Sequence, residues 1–316
     1  MKNISQIKMM FVMAISALLL AACGNPSGII DETPTRGHIK ITVDESYQLL
    51  IDAELQVFHS IYTYAKVDVA YKPEAEAIAD LMNDSVRLVI VNRKLTEQED
   101  QYLKNKQLIP RTTKIAYDGM AFIVNKKNTD TLIRWDQIRD IFSGKIKTWK
   151  QLNNKANTSD LKVVFDNNKS GNVRQIKEQF KINQSFPDYC FAVKSNPEVI
   201  KYVESNPNAI GIIGVNWISD SDDTLSHKFM KNINVVEIGN ENNLDGTGLF
   251  CKPYQGYIAE SSYPLRREVF VISRETFSGL GTGFASFVAG DKGQRIILKA
   301  GMVPATMPVR LISVKK

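Results

Sequence analysis

The sequence predicts an α/β protein of two lobes with a cleft between them, and three observations carry that prediction. Short apolar strands alternate with amphipathic helices, the β-α-β-α rhythm of a parallel, doubly wound sheet. The strand candidate Val86–Val91 is almost wholly apolar, as expected of a strand covered on both faces. The rhythm then restarts at Tyr117–Val124 and runs on to the C-terminal part of the chain. Ligands in such folds sit at the carboxyl ends of the strands.

The elements follow in order. Ile39–Val43 reads as a strand, and Tyr47–Tyr64 as a helix with apolar positions at Leu50, Ala53, Val57 and Ile61. Lys66–Tyr71 is a second strand, Glu74–Asn83 a short helix and Val86–Val91 a third strand. Thr96 caps the next helix, with Glu99 at the capping-box position. After Tyr117–Val124 come a strand at Val163–Phe165, a helix after Ser170 and a strand at Ile210–Val215. Glu268–Ser273 and a helix near Phe284–Ala300 close the series.

The N-terminus is set apart from this domain. Lys2 and Lys8 precede an apolar run from Met9 to Leu20, too short for a bilayer span of about 20 residues but of signal-peptide length. Leu20-Ala21-Ala22-Cys23 resembles the lipobox of bacterial lipoproteins, which implies cleavage before Cys23 and its acylation. Several acyl chains on one cysteine satisfy the requirement for stable anchoring. Residues 1–22 are therefore expected to be a signal peptide and residues 23–36 a tether, placing the domain on the cell envelope, at the periplasmic face or the cell surface.

Composition excludes several function classes. The net charge is +6, and removing the two lysines of residues 1–22 leaves +4, with no basic run of the kind that nucleic-acid binding requires. A mild positive excess does suit a protein that meets anions. Cys190 and Cys251 could pair in an oxidising compartment, although Cys190 also reads as a buried apolar position. His38, His59 and His227 lie far apart and no CxxC occurs, so neither a metal nor a cofactor is expected. Gly279-Leu280-Gly281-Thr282-Gly283 imitates a dinucleotide fingerprint with the third glycine one residue early, and reads better as a helix-entry turn. Trp135, Trp149 and Trp217 are expected in the core, and Asp166, Asp220, Asp222 and Asp223 lack glycosidase spacing. No GxSxG occurs, so a serine hydrolase has no support.

The sharpest local signal is Val163-Val164-Phe165-Asp166-Asn167-Asn168-Lys169-Ser170-Gly171-Asn172-Val173-Arg174. A strand ends, a polar turn follows, and an amphipathic helix starts. Glycine at a helix N-terminus lets backbone N–H groups converge on a ligand, and the helix dipole adds about half a positive charge. Ser170 and Asn172 add side-chain hydrogen bonds. Arg174 stands in the first turn, where a cation opposes the dipole, a placement that makes sense beside an anion. Its removal is accordingly expected to leave the ligand-free fold at least as stable. A plain N-cap turn is the other reading of the same residues.

Several segments together resemble the phosphate-binding protein family of phosphate ABC transporters, whose fold is the class II periplasmic binding fold. They are Ile115-Ala116-Tyr117-Asp118-Gly119, Asp136-Gln137-Ile138-Arg139-Asp140-Ile141-Phe142-Ser143-Gly144-Lys145-Ile146-Lys147-Thr148-Trp149, and Asn206-Pro207-Asn208-Ala209-Ile210-Gly211. Tyr263-Pro264-Leu265 with Arg267, and Gly293-Gln294-Arg295 through Pro304, extend the likeness over nearly the whole chain after the tether. The resemblance implies mixed, mostly parallel sheets in two lobes, residues 37–117 plus 266–316 and residues 118–265, hinged around a cleft. It implies a monomeric binder, not an enzyme, that delivers inorganic phosphate or a similar oxyanion to an ABC permease. The implied ligand residues are Ser46, Asn92, Arg93, Ser170, Gly171, Asn172 and Arg174.

The chain also departs from the family pattern. Asp166 stands where an arginine is usual, Asn172 where threonine is usual, and Lys72-Pro73-Glu74-Ala75-Glu76-Ala77 replaces a glycine-rich loop. Asn92 stands where some members hold an aspartate that tests the ligand for a proton; Asp44, Glu45, Glu76, Asp118 or Asp166 could take that role. Arg93 and Arg174 could replace the charge lost at Asp166. A divergent anion binder or sensory component of the same fold is the alternative function, and an enzyme of phosphate-ester chemistry a third.

Overall fold

Ile39, Ile41 and Val43 alternate along the strand Gly37–Asp44 (β1) and bury their side chains in one apolar cluster with Leu50, Ile51, Leu55 and Phe58 of the helix Gln48–Ile61 (α1). A short 3-10 turn, Glu45–Tyr47, links the two. This computed structural model describes residues 32–153, 159–219, 229–240 and 248–308. Cys23, the signal peptide, most of the tether, Asp220, Asp222, Asp223 and His227 lie outside the described residues. No helix among the described residues is long and apolar enough to cross a membrane.

The remaining strands are Ala65–Lys72 (β2), Leu88–Val91 (β3), Arg111–Asn125 (β4), Leu132–Ile133 (β5), Lys162–Phe165 (β6), Cys190–Ala192 (β7), Ala209–Gly214 (β8), Ile233–Val235 (β9), Glu237–Gly239 (β10), Phe250–Cys251 (β11), Arg266–Ser273 (β12) and Val303–Pro304 (β13). The main helices after α1 are Glu74–Met82 (α2), Glu97–Asn105 (α3), Trp135–Phe142 (α4), Gly171–Gln179 (α5), Asn196–Ser205 (α6), Leu280–Ala289 (α7) and Asp291–Lys299 (α8). The Thr96–Glu99 capping box of α3 forms as expected. The single C-terminal helix expected near Phe284–Ala300 is instead two, broken at Gly290.

The large sheet runs β2-β1-β3-β12-β4-β8-β6-β7, with β13 and β9 also against β4. It is parallel at both edges, where β1 pairs with β2 and β3 and β6 pairs with β7 and β8. Its middle is antiparallel, because β4 runs against β3's neighbour β12 and against β8. The sheet is thus less parallel than the alternating rhythm implied. The reason is topological: β4 lies antiparallel both to β12, along Arg111–Gly119, and to β8, along Met120–Val124, and β12 is antiparallel to β3 as well.

β4 is the central element. Its residues Arg111–Gly119 pair with β12 and its residues Met120–Val124 with β8. Two apolar clusters divide along it, one holding Ile115, Ala116, Val269 and Val271, the other Met120–Val124 with Ile210, Ile212 and Val163. The strand begins well before Tyr117 because Arg111–Lys114 is polar and its outer residues exposed, which hides it from an apolar pattern. Val86–Val91 proves correct in kind: Leu88, Val89, Ile90 and Val91 are all fully buried. Trp149 and Trp217 are buried and Trp135 packs against Phe180 at 4.4 Å between ring centroids, so the tryptophans serve the core. Cys190 and Cys251 are both buried and both free.

Candidate functional site

The loop after β6 folds as its residues direct. Ser170 has extended φ and ψ (−77°, 158°) and its Oγ accepts from the Val173 N–H at 3.4 Å, capping α5. Gly171 and Asn172 fill the first turn and are buried, so the helix opens onto the interior of the molecule. What it meets there is Asn92, at the carboxyl end of β3. A Cβ on Gly171 would lie 2.2 Å from Asn92 Nδ2, so only glycine admits this approach. Ser46, just past the carboxyl end of β1, is fully buried in the same region. Five of the seven residues implied as ligand contacts, Ser46, Asn92, Ser170, Gly171 and Asn172, are thus buried polar groups or close-approach positions at the inner strand ends.

The two arginines among the seven are differently placed. Arg93 bonds Glu99 twice, at 2.6 and 2.8 Å, and turns to the rim. Arg174 does have an anion beside it, but that anion is the protein's own. Its Nε donates to Glu74 Oε1 at 2.5 Å, its Nη2 to Glu74 Oε2 at 3.2 Å, and its Nη1 to Glu178 at 2.6 Å. Nη2 also donates to Asn92 Oδ1. The placement against the helix dipole is therefore explained by two carboxylates. Glu74 itself is buried at 2 % exposure. These contacts argue against the expectation that removing Arg174 leaves the fold as stable, because the buried Glu74 would keep only Arg93, at 3.9 Å, as a cationic partner among the described residues.

Sequence reasoning missed the most buried cation. Arg267 on β12 is register partner to Asp118 on β4, and its Nε donates to Asp118 Oδ2 at 2.8 Å. Its Nη1 donates to Asn172 Oδ1 at 2.7 Å, and Asn172 Nδ2 donates in turn to Asp166 at 3.3 Å. Arg267 stands between Arg266 and Glu268 at the start of β12, and that charged surrounding gives no local sign that this arginine alone is buried. Another missed contact links Glu45 to the N-terminus of α6. Asn196 donates to Glu45 from its backbone and side-chain nitrogens, and its Oδ1 accepts from the Gly214 N–H at 3.1 Å.

The electrostatics are unusually acidic for the number of cations. Burial, then Glu74, pushes the Asp44 carboxyl up to about 8. Burial, then Asp166, pushes Glu45 to about 7. Asp118 and Asp166 are also raised by burial, against the opposing pull of Arg267 on the first and of Ser170 and Asn172 on the second. Asp44 Oδ2, Ser46 Oγ, Asn92 Nδ2 and Arg267 Nη2 are buried and make no hydrogen bond within the described residues. Such groups are costly unless something completes them. No group of three or more metal-ligating side chains occurs among the described residues. The dinucleotide-like glycines are accounted for as well. Glu275 accepts from the Gly281 and Thr282 N–H groups at 3.0 and 2.6 Å, so a carboxylate already caps that helix.

The protein is a mixed α/β fold in which a capped helix N-terminus and incompletely bonded polar groups are buried together. A profile of the PBP superfamily domain matches residues 31–292, and the chain belongs to that superfamily. It is 25 % identical over 298 residues, 92 % of this chain and 85 % of the relative, to the phosphate-binding protein PstS of Staphylococcus aureus USA300. A candidate substrate-binding protein of a phosphate ABC transporter from Clostridium perfringens, solved with phosphate, superposes with TM-score 0.71 at 22 % identity, over 85 % of this chain and all of that one. An ABC-type phosphate transport receptor from Vibrio cholerae gives 0.64 at 20 % identity, again over 85 % and 100 %. These relatives are solute-binding proteins, not enzymes.

Proposed function

We propose that this protein binds inorganic phosphate between its two halves and hands it to an ABC permease. One observation carries the reading: the N-terminus of α5, with Ser170, Gly171 and Asn172, meets Asn92 directly and Ser46 through Arg267, and Ser46 Oγ and Asn92 Nδ2 make no hydrogen bond within the described residues. Backbone N–H groups at a helix start, hydroxyls and amides are the donors an oxyanion needs. The relative in S. aureus carries phosphate in its name, which fixes the anion to try first.

The lobes in this reading are residues 37–117 with 266–316, and residues 118–265, hinged where β4 and β12 pass between them. In this reading the contact of Asn92 with Gly171 and Arg174 of α5 belongs to the closed arrangement. Anchoring through Cys23 would hold the protein outside the cytoplasm, within reach of a permease; Cys23→Ser should abolish lipid labelling and release the protein from the membrane fraction. Calorimetry on the purified mature chain with phosphate, sulfate, arsenate and a phosphonate tests the ligand. Saturable heat with phosphate, and none with sulfate, is the expected result; no heat with phosphate overturns the reading.

A second reading rests on the buried Asp44, Glu74, Asp118 and Asp166. That acidity favours a divergent member serving another anion or a sensory role, and binding of a phosphonate in preference to phosphate would select it.

A further inference from the structure

We infer that Arg267, not Arg174 or Arg93, is the cation that meets the bound oxyanion, with Ser46 beside it. The inference rests on the oxyanion reading and says which side chains carry it.

The argument is first one of counting donors. A guanidinium has five N–H donors. Those of Arg174 go to Glu74, Glu178 and Asn92, so two carboxylates offset one charge. Arg93 gives both terminal nitrogens to Glu99 and lies 3.9 Å from Glu74 as well. Arg267 has one ion-pair partner within 4 Å among the described residues, with the Asp44 carboxyl acting on it from further off. Asp118 takes Nε at 2.8 Å, and Nη2 lies 2.7 Å from the same oxygen without completing a hydrogen bond. One terminal nitrogen of a guanidinium whose side chain is 3 % exposed is left for something else.

Position gives the second argument. A Cβ built on Gly214 would lie 3.0 Å from Arg267 Nη2, 3.4 Å from Asn216 Oδ1 and 3.6 Å from Ser46 Cβ. These three side chains therefore converge on one point over Gly214, close enough that a side chain there would press on the guanidinium. Ser46 Oγ and both polar atoms of Asn216 are buried and make no hydrogen bond within the described residues. From the other side, Arg267 Nη1 reaches Asn172 in the first turn of α5. The guanidinium thus touches the helix N-terminus with one nitrogen and the Ser46–Gly214 corner with the other.

Chemistry gives the third. Asp166 brings a negative charge to the loop, and an oxyanion there requires a cation within contact distance. Arg267 is tied to that loop through Asn172, which accepts from Arg267 and donates to Asp166. Arg267 lies on β12 in register with Asp118 of β4, the strand that spans both apolar clusters, so its backbone is fixed by the sheet. Asp118 then sets how much of its charge remains for the ligand.

The test is phosphate calorimetry on the full mature protein and three variants, with melting temperatures recorded alongside. Arg267→Lys keeps the charge and loses the fork, and should weaken phosphate binding at least 30-fold. Arg174→Gln should weaken it less than fivefold. Asp118→Asn releases the guanidinium from its counter-charge and should tighten phosphate binding several-fold although the melting temperature falls. A purely structural Arg267–Asp118 pair predicts the opposite for Asp118→Asn, weaker binding together with lower stability, and that result overturns the assignment even where Arg267→Lys fails to fold. A folded Arg267→Lys that binds as wild type overturns it too. Wild-type protein that takes up no phosphate sinks the oxyanion reading itself, and this assignment with it.

Discussion

Glu74 and Arg174 pair across a hundred positions of sequence, guanidinium to carboxylate, through Nε–Oε1 at 2.5 Å and Nη2–Oε2 at 3.2 Å. Glu74 opens α2 and Arg174 lies in the first turn of α5. The backbone N–H of Ala75 adds a bond to the Lys169 carbonyl at 3.2 Å, and Lys169 Nζ one to Glu76 at 3.1 Å. The segment Lys72–Ala77, which stands where the family pattern has a glycine-rich loop, is in this way tied to the loop before α5 and to its first turn.

The pair should couple strongly. Arg174→Ala strands a buried carboxylate and should cost about 3–5 kcal/mol in chemical unfolding. Glu74→Ala leaves a cation that still has Glu178 and should cost less. The double variant should recover part of the loss, a coupling of about 1–3 kcal/mol. Strict additivity would show that the contact carries no energy.

Gly171 tests the close approach. Gly171→Ala places a methyl group on the Asn92 side chain and should lower stability by about 1–3 kcal/mol. Asn92→Ala in the same chain should relieve most of that penalty, since the clash is with the amide. Differential scanning calorimetry of the four proteins decides; an unrelieved penalty would place the strain in the backbone.

Glu54 is buried in α1 with neither carboxylate oxygen bonded within the described residues, and burial alone raises it to about 9. A carboxyl raised above its unfolded value, about 4.5, favours the folded state while protonated. That contribution is whole below about pH 4.5 and is lost as pH rises toward 9. Urea denaturation between pH 5 and 9 should therefore show stability falling by a few kcal/mol, on the order of what such shifts imply. Glu54→Gln should make the fall shallower, leaving the part that comes from the raised Asp44 and Glu45 carboxyls. A wild-type profile unchanged across that range would mean the carboxyl ionises freely.

Glu275 should matter without touching any ligand. Its carboxylate caps α7 through Gly281, Thr282 and the Thr282 hydroxyl, the last at 2.8 Å. Glu275→Ala leaves those N–H groups without a partner and should cost about 2–4 kcal/mol. Phosphate affinity of the folded variant should stay near wild type, because the cap lies beside Arg87 and Glu32 rather than at the inner strand ends.

Local patterns carried the sequence reading a long way. Alternating apolar residues in β1, the continuous run Leu88–Val91, the Thr96–Glu99 box and the Ser170-Gly171-Asn172 turn are decided by neighbours within a few positions, and each is legible in a linear string. The polar start of β4 was not, because a strand end takes its pairing from another segment rather than from its own hydrophobicity. The charges were not legible for the same reason. Glu74 lies a hundred positions from Arg174, and Asp118 lies 149 from Arg267. Which carboxylate meets which guanidinium depends on strand register and on the crossing of β4 and β12. Composition and spacing announced a protein suited to anions; only the packed sheet decided which of its cations are already spoken for.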